Sequence, residues 1–581
     1  MSYATTSFSN DATNIEDRQV YPSYIDQLLD RYEEILQKHR AENPDLYHLV
    51  ELRKKQAINS DTFSEDNTSN INVTAEDEKL LWNRELRGSP LRAQIRASQR
   101  KIRQSLSTLN ADITPRTQAH NRKCDSQSID EEREFRADVV SAQIKAWRSM
   151  LPTLIKKFAR IPDYRRTNSI KHKITVLMIF GLFAFIFRLS SRREMNRELT
   201  SPVIFDHLKR IFPEIETIPH ADTLARILER IEPKKIEMIH INMIKELIKK
   251  KKFRKLLIQD CIPITIDGAQ KLYRQGLLQD PQWCERKVGK DDTQQYLYAL
   301  EANITLKNGL TIPLMTEYLY RSTNELEQDT NKQDSEITAF ERLSARLKKY
   351  FPRLKIILFA DAMFATQTIM EMLHNYQWEY IIRLPKKKLT DLSKQLSKNK
   401  PDRVSLPNQH YHKKRKQTFY WENNIPYGYE WQLNINLIAC FEEYEIVNPK
   451  TGKIEKCCSE QAWISSIPAK ISNLHELLNL GARKRELIED SLNTEKNRGY
   501  HYKHAFSYNW NASQGFHYLM RLAHAINAIS EFTKKLKKYI KELGCSATLK
   551  LIKETLFSPW LSLSWYKKQF LKTPQLKLQL E

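Results

Sequence analysis

Two short β-branched runs, each closing on an aspartate, constrain this chain most. Ile264–Gly268 reads ITIDG, and its run stops at Asp267. Leu354–Phe364 reads LKIILFADAMF, and its run ends just before Asp361. Runs this apolar form buried strands of an α/β sheet, here with an acid at each end. The competing reading of Asp267 is a carboxylate that caps a turn. For Asp361 it is a helix N-cap, since a helix is expected at once afterwards. Asp260 lies seven residues before Asp267 and precedes the strand.

A third acid comes from Gly481–Lys496, GARKRELIEDSLNTEK, which reads as one amphipathic helix. At about 100° per residue, Glu489 lies some 40° from Arg485 around the helix and Lys496 about 20° from it. One face then carries a cation, a carboxylate and a second cation. Taken alone, this is a solvated face with an i,i+4 pair worth a few tenths of a kcal/mol. Glu486 and Asp490 are neighbouring acids, but Glu489 shares the face with Arg485 and Lys496. Two strand-end aspartates and a helix glutamate form the layout a metal-dependent phosphoryl-transfer site requires. Hard oxygens bind Mg²⁺, and two ions about 3.5–4 Å apart clamp attacking and leaving oxygens. Glu317 and Glu336 suit structural ion pairs instead.

With these residues the chain resembles the DDE transposases of bacterial insertion sequences, of the insertion sequence 4 type. That family places its third acid in a pattern of Tyr, two residues, Arg, three residues, Glu, six residues, Lys. Arg485, Glu489 and Lys496 match the last three positions, and Ala482 stands where the tyrosine would be. Ala360–Lys387 resembles the family's second-aspartate block, and Lys332–Leu354 resembles the segment before it. The resemblance runs from Phe158 to Ala528.

It implies an RNase H-like (retroviral-integrase-type) mixed-sheet α/β core interrupted by a β-rich insertion, with a helical N-terminal region before it. It also implies cleavage at transposon ends and transfer of the 3′-hydroxyl into target DNA. Asp267, Asp361 and Glu489 would be the catalytic metal ligands, with Asp267 shared by two Mg²⁺ ions that Mn²⁺ can replace. Arg485 and Lys496 would hold DNA phosphates. The partners would be transposon ends, target DNA and a second protomer in a synaptic homodimer. A transposase-derived DNA-binding protein without catalysis and a metal-dependent nuclease of the same fold are the rival functions.

Along the chain, residues 1–157 read as helices joined by the polar tracts Ser60–Asn72 and Ser107–Ser128, with a role in DNA-end binding or assembly. Residues 158–255 form a helical approach to the core. Its most apolar run, Ile174–Phe187, spans 14 residues; a membrane helix needs about 20, so a core helix is expected. Leu224, Ile227, Leu228 and Ile231 make an apolar stripe, with Asp222 as the expected N-cap. Residues 256–390 hold the first part of the core. Its strands include Tyr296–Leu306 and Leu310–Leu319, joined at Asn308-Gly309, a strong hairpin signal.

The 127 residues between Asp361 and Glu489 exceed a simple connection. The insertion, 391–470, is therefore expected to carry strands at Thr418–Trp421, Trp431–Phe441 and Ala462–Ile467. Residues 471–530 complete the core, ending in a long helix, Ser513–Lys537, and 531–581 form a basic tail. His410–Trp421 mixes cations and aromatics. It suits either a grip on a nucleic-acid strand or a lysine-guarded edge strand; His501–Trp510 is similarly ambiguous.

Charge points the same way. Lys and Arg outnumber Asp and Glu by 94 to 70, a net +24, and a chain this basic usually meets a polyanion. The basic residues are scattered and no lipidation signal is visible, so a membrane is not the expected partner. Seven cysteines without a CxxC disfavour structural zinc and fit a reducing cytoplasm; the resemblance implies a bacterial one, with the protein at the nucleoid. Twelve glycines without a phosphate-loop pattern argue against nucleotide chemistry.

Overall fold

The computed structural model describes residues 126–275, 283–288, 292–320, 335–384, 402–408, 415–427, 433–447 and 454–571, with positions 41 and 580. The expectations for the helices before Ser128, for the two polar tracts and for 410–414 lie outside the described residues. The chain divides into units 1–121 and 122–581, and every element below belongs to the second.

Helix α1 (Ile129–Phe158) opens at Ser128, whose Oγ accepts the Glu131 N–H at 3.2 Å. Acids fill its first turn and lysines its last, which complements the helix dipole. Its buried side, including Trp147, Leu154 and Phe158, belongs to the main apolar core. Helix α2 (Ile174–Ile186) is buried at every residue but Thr175, as its apolar run requires. Among the described residues no helix is long and apolar enough to cross a membrane.

Helices α3 (Arg192–Leu199), α4 (Pro202–Ile211), α5 (Ala221–Leu228) and α6 (Pro233–Lys249) follow. The α5 stripe is buried as its spacing demands. Its cap is not Asp222, however. His220 holds that position and its ring Nδ1 accepts the Asp222 N–H at 3.2 Å. Asp222 lies two residues past the cap and instead pairs with Arg192 at 3.1 Å.

Among the described residues the sheet has ten strands. Strands β1 (Ile262–Gln275), β2 (Cys284–Val288), β3 (Asp292–Thr305) and β4 (Thr311–Leu319) form its antiparallel half. The β3–β4 turn is the expected one, and Gly309 takes φ 91°, open to glycine at no steric cost. After α7 (Glu336–Tyr350) comes β5 (Ile356–Ala360), then α8 (Gln367–Asn375) and β6 (Glu379–Arg383); β1, β5 and β6 run parallel. These directions are those of an RNase H-like core.

The insertion supplies β7 (Asp402–Asn408), which was not expected, and β8 (Arg415–Tyr427), β9 (Leu433–Val447) and β10 (Ile454–Ser465), each longer than its apolar core suggested. They do not form a separate layer. Strand β10 pairs β6 through Ser465↔Ile381 and Ile464↔Ile382, so the order is β2-β3-β1-β5-β6-β10-β9-β8-β7, with β4 on β3's outer edge. Strand β8 lies between β7 and β9, which rules out the edge-strand reading. Phe419 and Trp421 are buried and offer no stacking platform.

Period-two alternation along β5 sends Ile356, Leu358 and Ala360 into the main core and Ile357 and Phe359 into a second cluster on the other face. Helix α9 (Leu487–Asn497) lies on the sheet, and α10 (Trp510–Glu531) runs through the core. The latter is buried from Ala512 to Ser530 and ends at Glu531, short of Lys537. Helices α11 (Lys534–Leu543), α12 (Cys545–Leu556) and α13 (Leu563–Leu571) occupy the expected tail, with Leu551, Leu556 and Tyr566 in the main core.

Candidate active site

Asp267 is not at a strand end. Its β-branched run stops there, but β1 continues because β3 keeps pairing it, from Asp267↔Glu301 to Gln275↔Gln294. What ends is the parallel neighbour, since β5 leaves β1 after Thr265↔Phe359. Asp267 therefore emerges where one edge of its strand has just been freed. Asp361 follows β5 directly and precedes a short 3₁₀ turn, Ala362–Phe364. It sits in the cap position, yet its side chain makes no capping bond.

The expected single helix from Gly481 to Lys496 is two pieces, a 3₁₀ turn at Ala482–Glu486 and then α9. With three residues per turn, successive 3₁₀ side chains diverge by about 120°. Arg483, Lys484 and Arg485 thus reach three different places. Arg483 pairs with Glu442 of β9 at 3.0 Å. Lys484 donates to the Lys307 carbonyl in the β3–β4 turn. Arg485 reaches the acids. Gly481 permits the close approach to β5, because a Cβ there would sit 2.4 Å from the Leu477 carbonyl oxygen and 2.7 Å from the Phe359 ring. Ala482 is buried in the second apolar cluster and presents no polar group.

One nitrogen of Arg485 serves two carboxylates. Its Nη2 lies 2.6 Å from Asp361 Oδ2 and 2.8 Å from Glu489 Oε1. Glu489 is thus brought to Asp361 from a separate segment, 4 residues beyond Arg485. The guanidinium is 8% exposed, whereas the Asp361 and Glu489 side chains are 38% and 55% exposed. Its Nη1 is buried without a hydrogen-bond partner.

Asp267 completes the group electrostatically. Burial pushes its carboxyl up to about 6, Arg485 opposes the rise, and the Glu489 and Asp361 charges add to it. Its Oδ1 accepts the Gly268 N–H at 3.1 Å. The donors are hard carboxylate oxygens, the set Mg²⁺ prefers, and two of them, on Asp361 and Glu489, contact one cation. Among the described residues no three such side chains are gathered closely enough to hold an ion in common. Arg485 stands between two of them.

Lys496 is not brought to the acids. It lies two turns along α9, half-buried, with its Nζ 5.9 Å from the centroid of the Tyr502 ring. Glu486 and Asp490 are exposed, and Asp260 sits in a tight turn at φ 59° before β1. Glu317 makes the expected ion pairs, with Arg342 at 2.9 Å and Arg346 at 2.5 Å. Glu336 instead accepts the Tyr298 hydroxyl at 2.6 Å.

Behind the acids lies a buried polar layer that sequence reasoning missed. Glu301, directly across from Asp267, meets His517 at 3.0 Å and Arg521 at 3.3 Å. Glu495 of α9 meets Arg521 at 3.1 Å and His524 at 2.7 Å. Burial raises Glu301, but Arg521 and His517 overcome it and hold it well below the usual carboxylate range. Lys271 of β1 donates to the Tyr502 carbonyl at 3.1 Å, and burial pulls it down to about 8. Tyr502 is fully buried and donates to Glu301, so His501–Trp510 packs inward at this point. The signal was in the sequence: His517, Arg521 and His524 fall at i, i+4, i+7, interleaved with the apolar Phe516, Leu519, Met520, Leu522, Ala523 and Ala525.

Two family models match the chain. Residues 321–527 match the one described as Transposase DDE domain, and residues 155–244 match the one described as DDE_Tnp_1-associated. No curated protein matches it.

Proposed function

The chain belongs to the DDE-type transposase family, and from that premise we propose that it cleaves transposon ends and joins the freed 3′-hydroxyl to target DNA. Asp267, Asp361 and Glu489 are the acids of this reading. What supports it is that Asp361 and Glu489, from separate chain segments, share one guanidinium, while Asp267 lies near enough for their charges to reach it. The family generally uses divalent metal ions; here the three carboxylates would hold two Mg²⁺, with Mn²⁺ able to substitute. When bound, such ions lower the pKa of the attacking hydroxyl and offset charge on the phosphate.

The chain's own groups do the rest. Asp267 and Asp361 are held by neighbouring parallel strands, so their spacing is fixed by the sheet rather than by loops. The buried Glu301–Arg521–Glu495 layer ties β3, α9 and α10 together and so fixes the helix that carries Glu489. Arg485 stands beside the acids with donors suited to phosphate oxygens. Lys496 lies farther along the same helix and serves as a DNA phosphate contact rather than a metal neighbour. Two protomers, each acting on one end, form the working assembly.

The test is cleavage of a labelled duplex carrying the element's terminal inverted repeat. Asp267→Ala and Asp361→Ala are each expected to lose Mg²⁺-dependent cleavage while still retaining the duplex. Full cleavage by either purified variant shows that the acids are wrongly chosen. Cleavage without joining by the unaltered protein shows a nuclease.

A further inference from the structure

We propose that Arg485 is a resident counter-cation that couples metal binding to DNA binding. In the free protein its guanidinium bridges Asp361 and Glu489; a DNA phosphate that draws it away releases both carboxylates to the metal. The inference rests on the acid assignment above.

The geometry is specific. A single nitrogen, Nη2, serves both acids at 2.6 and 2.8 Å, so the two oxygens lie within two hydrogen-bond lengths of each other. A divalent cation and a guanidinium compete for that same gap, since both need the oxygen lone pairs and the two cations repel. The cation is also more buried than the acids, 8% exposed against 38% and 55%, so it belongs to the packed protein rather than to a loose surface pair.

The second observation is the unpartnered Nη1, buried on the same side chain. An N–H left without an acceptor is a standing cost. A phosphate offers two oxygens to the guanidinium fork and removes that cost. Arg483 and Lys484, the two residues before Arg485, anchor the turn at Glu442 and at the Lys307 carbonyl, so the exchange falls to the Arg485 side chain. Coupling of this kind is reciprocal: whatever factor DNA adds to metal affinity, metal adds to DNA affinity.

The experiment uses the full chain, with Mn²⁺ as the metal and a mixed-sequence DNA duplex as the phosphate source. Free Mn²⁺ is read by electron paramagnetic resonance, with the duplex alone as the blank. For the unaltered protein the duplex is expected to tighten Mn²⁺ binding about tenfold or more, and Mn²⁺ to tighten duplex binding by the same factor. Arg485→Gln is expected to bind Mn²⁺ more tightly than the unaltered protein without DNA, and to lose most of the duplex effect. Equal Mn²⁺ affinity with and without duplex in the unaltered protein overturns the proposal with no variant needed. So does an Arg485→Gln protein whose coupling is intact. An unaltered protein that binds no Mn²⁺ even with duplex overturns the acid assignment itself, which is a different failure.

Discussion

Replacing Asp267 with asparagine is expected to stabilise the metal-free protein while abolishing its chemistry. The carboxyl is pushed from its usual 3.8 up to about 6 by burial, by Glu489 and by Asp361, with Arg485 opposing. At 1.36 kcal/mol per pKa unit, ionised Asp267 costs the fold about 3 kcal/mol as a ceiling. Partial exposure and salt screening reduce this to about 1–2 kcal/mol. Because the folded protein holds this proton more tightly than the unfolded chain does, the cost is absent below pH about 4. It grows as pH rises and is complete above pH about 6. Asparagine keeps an oxygen for the Gly268 N–H and never ionises. The assay is thermal unfolding in a chelator, for both proteins, from pH 4.5 to 8. The midpoints should separate as pH rises through about 4–6, with Asp267→Asn higher by about 1–2 °C at pH 7.5, given the usual unfolding entropy per residue for a unit of this size. Identical midpoints across that range, or a variant less stable at pH 7.5, refute the argument that burial and the neighbouring carboxylates penalise an ionised Asp267.

Three other outcomes are expected. Arg521→Met removes the main cation between Glu301 and Glu495, both fully buried, and should cost about 3–5 kcal/mol in a denaturant titration; a neutral result means the layer is not held by that pair of contacts. Deleting residues 1–121 should leave a cooperative unfolding transition, whereas deletion through Phe158 should abolish it, because α1 contributes Trp147, Leu154 and Phe158 to the core. DNA binding should weaken steeply with salt, by about −0.9 in the log–log slope per neutralised phosphate; a flat titration contradicts the reading of the +24 charge.

Much of the architecture is legible in local patterns. The β-branched runs at Ile264 and Ile356, the Asn308-Gly309 turn and the strongly apolar Ile174–Ile186 each dictate one element, and each is found where expected. The misreadings arise where the deciding contact is distant in sequence. Asp267 lies inside β1 because pairing with β3 outlasts the apolar run. The Arg485 turn is 3₁₀ because three successive cations have anchors on three separate elements, which helical periodicity does not encode. The insertion merges with the core sheet through three residue pairs between β10 and β6, a register no single segment reveals. Lys496 shares Arg485's face only on an ideal continuous helix, so the break at Glu486 and two turns of rise separate it from the acids.

The most direct test is strand transfer on labelled transposon ends in Mg²⁺, run side by side for the unaltered protein, Glu489→Gln and Glu486→Gln. Glu489→Gln keeps the side chain's shape and loses its charge, and it shares Arg485 with Asp361. Glu486 is exposed in the turn before α9 and bears no such contact among the described residues. Joined product is expected from the unaltered protein and from Glu486→Gln, and none from Glu489→Gln, which should still bind the duplex. An active Glu489→Gln beside an inactive Glu486→Gln contradicts the site as it has been assigned.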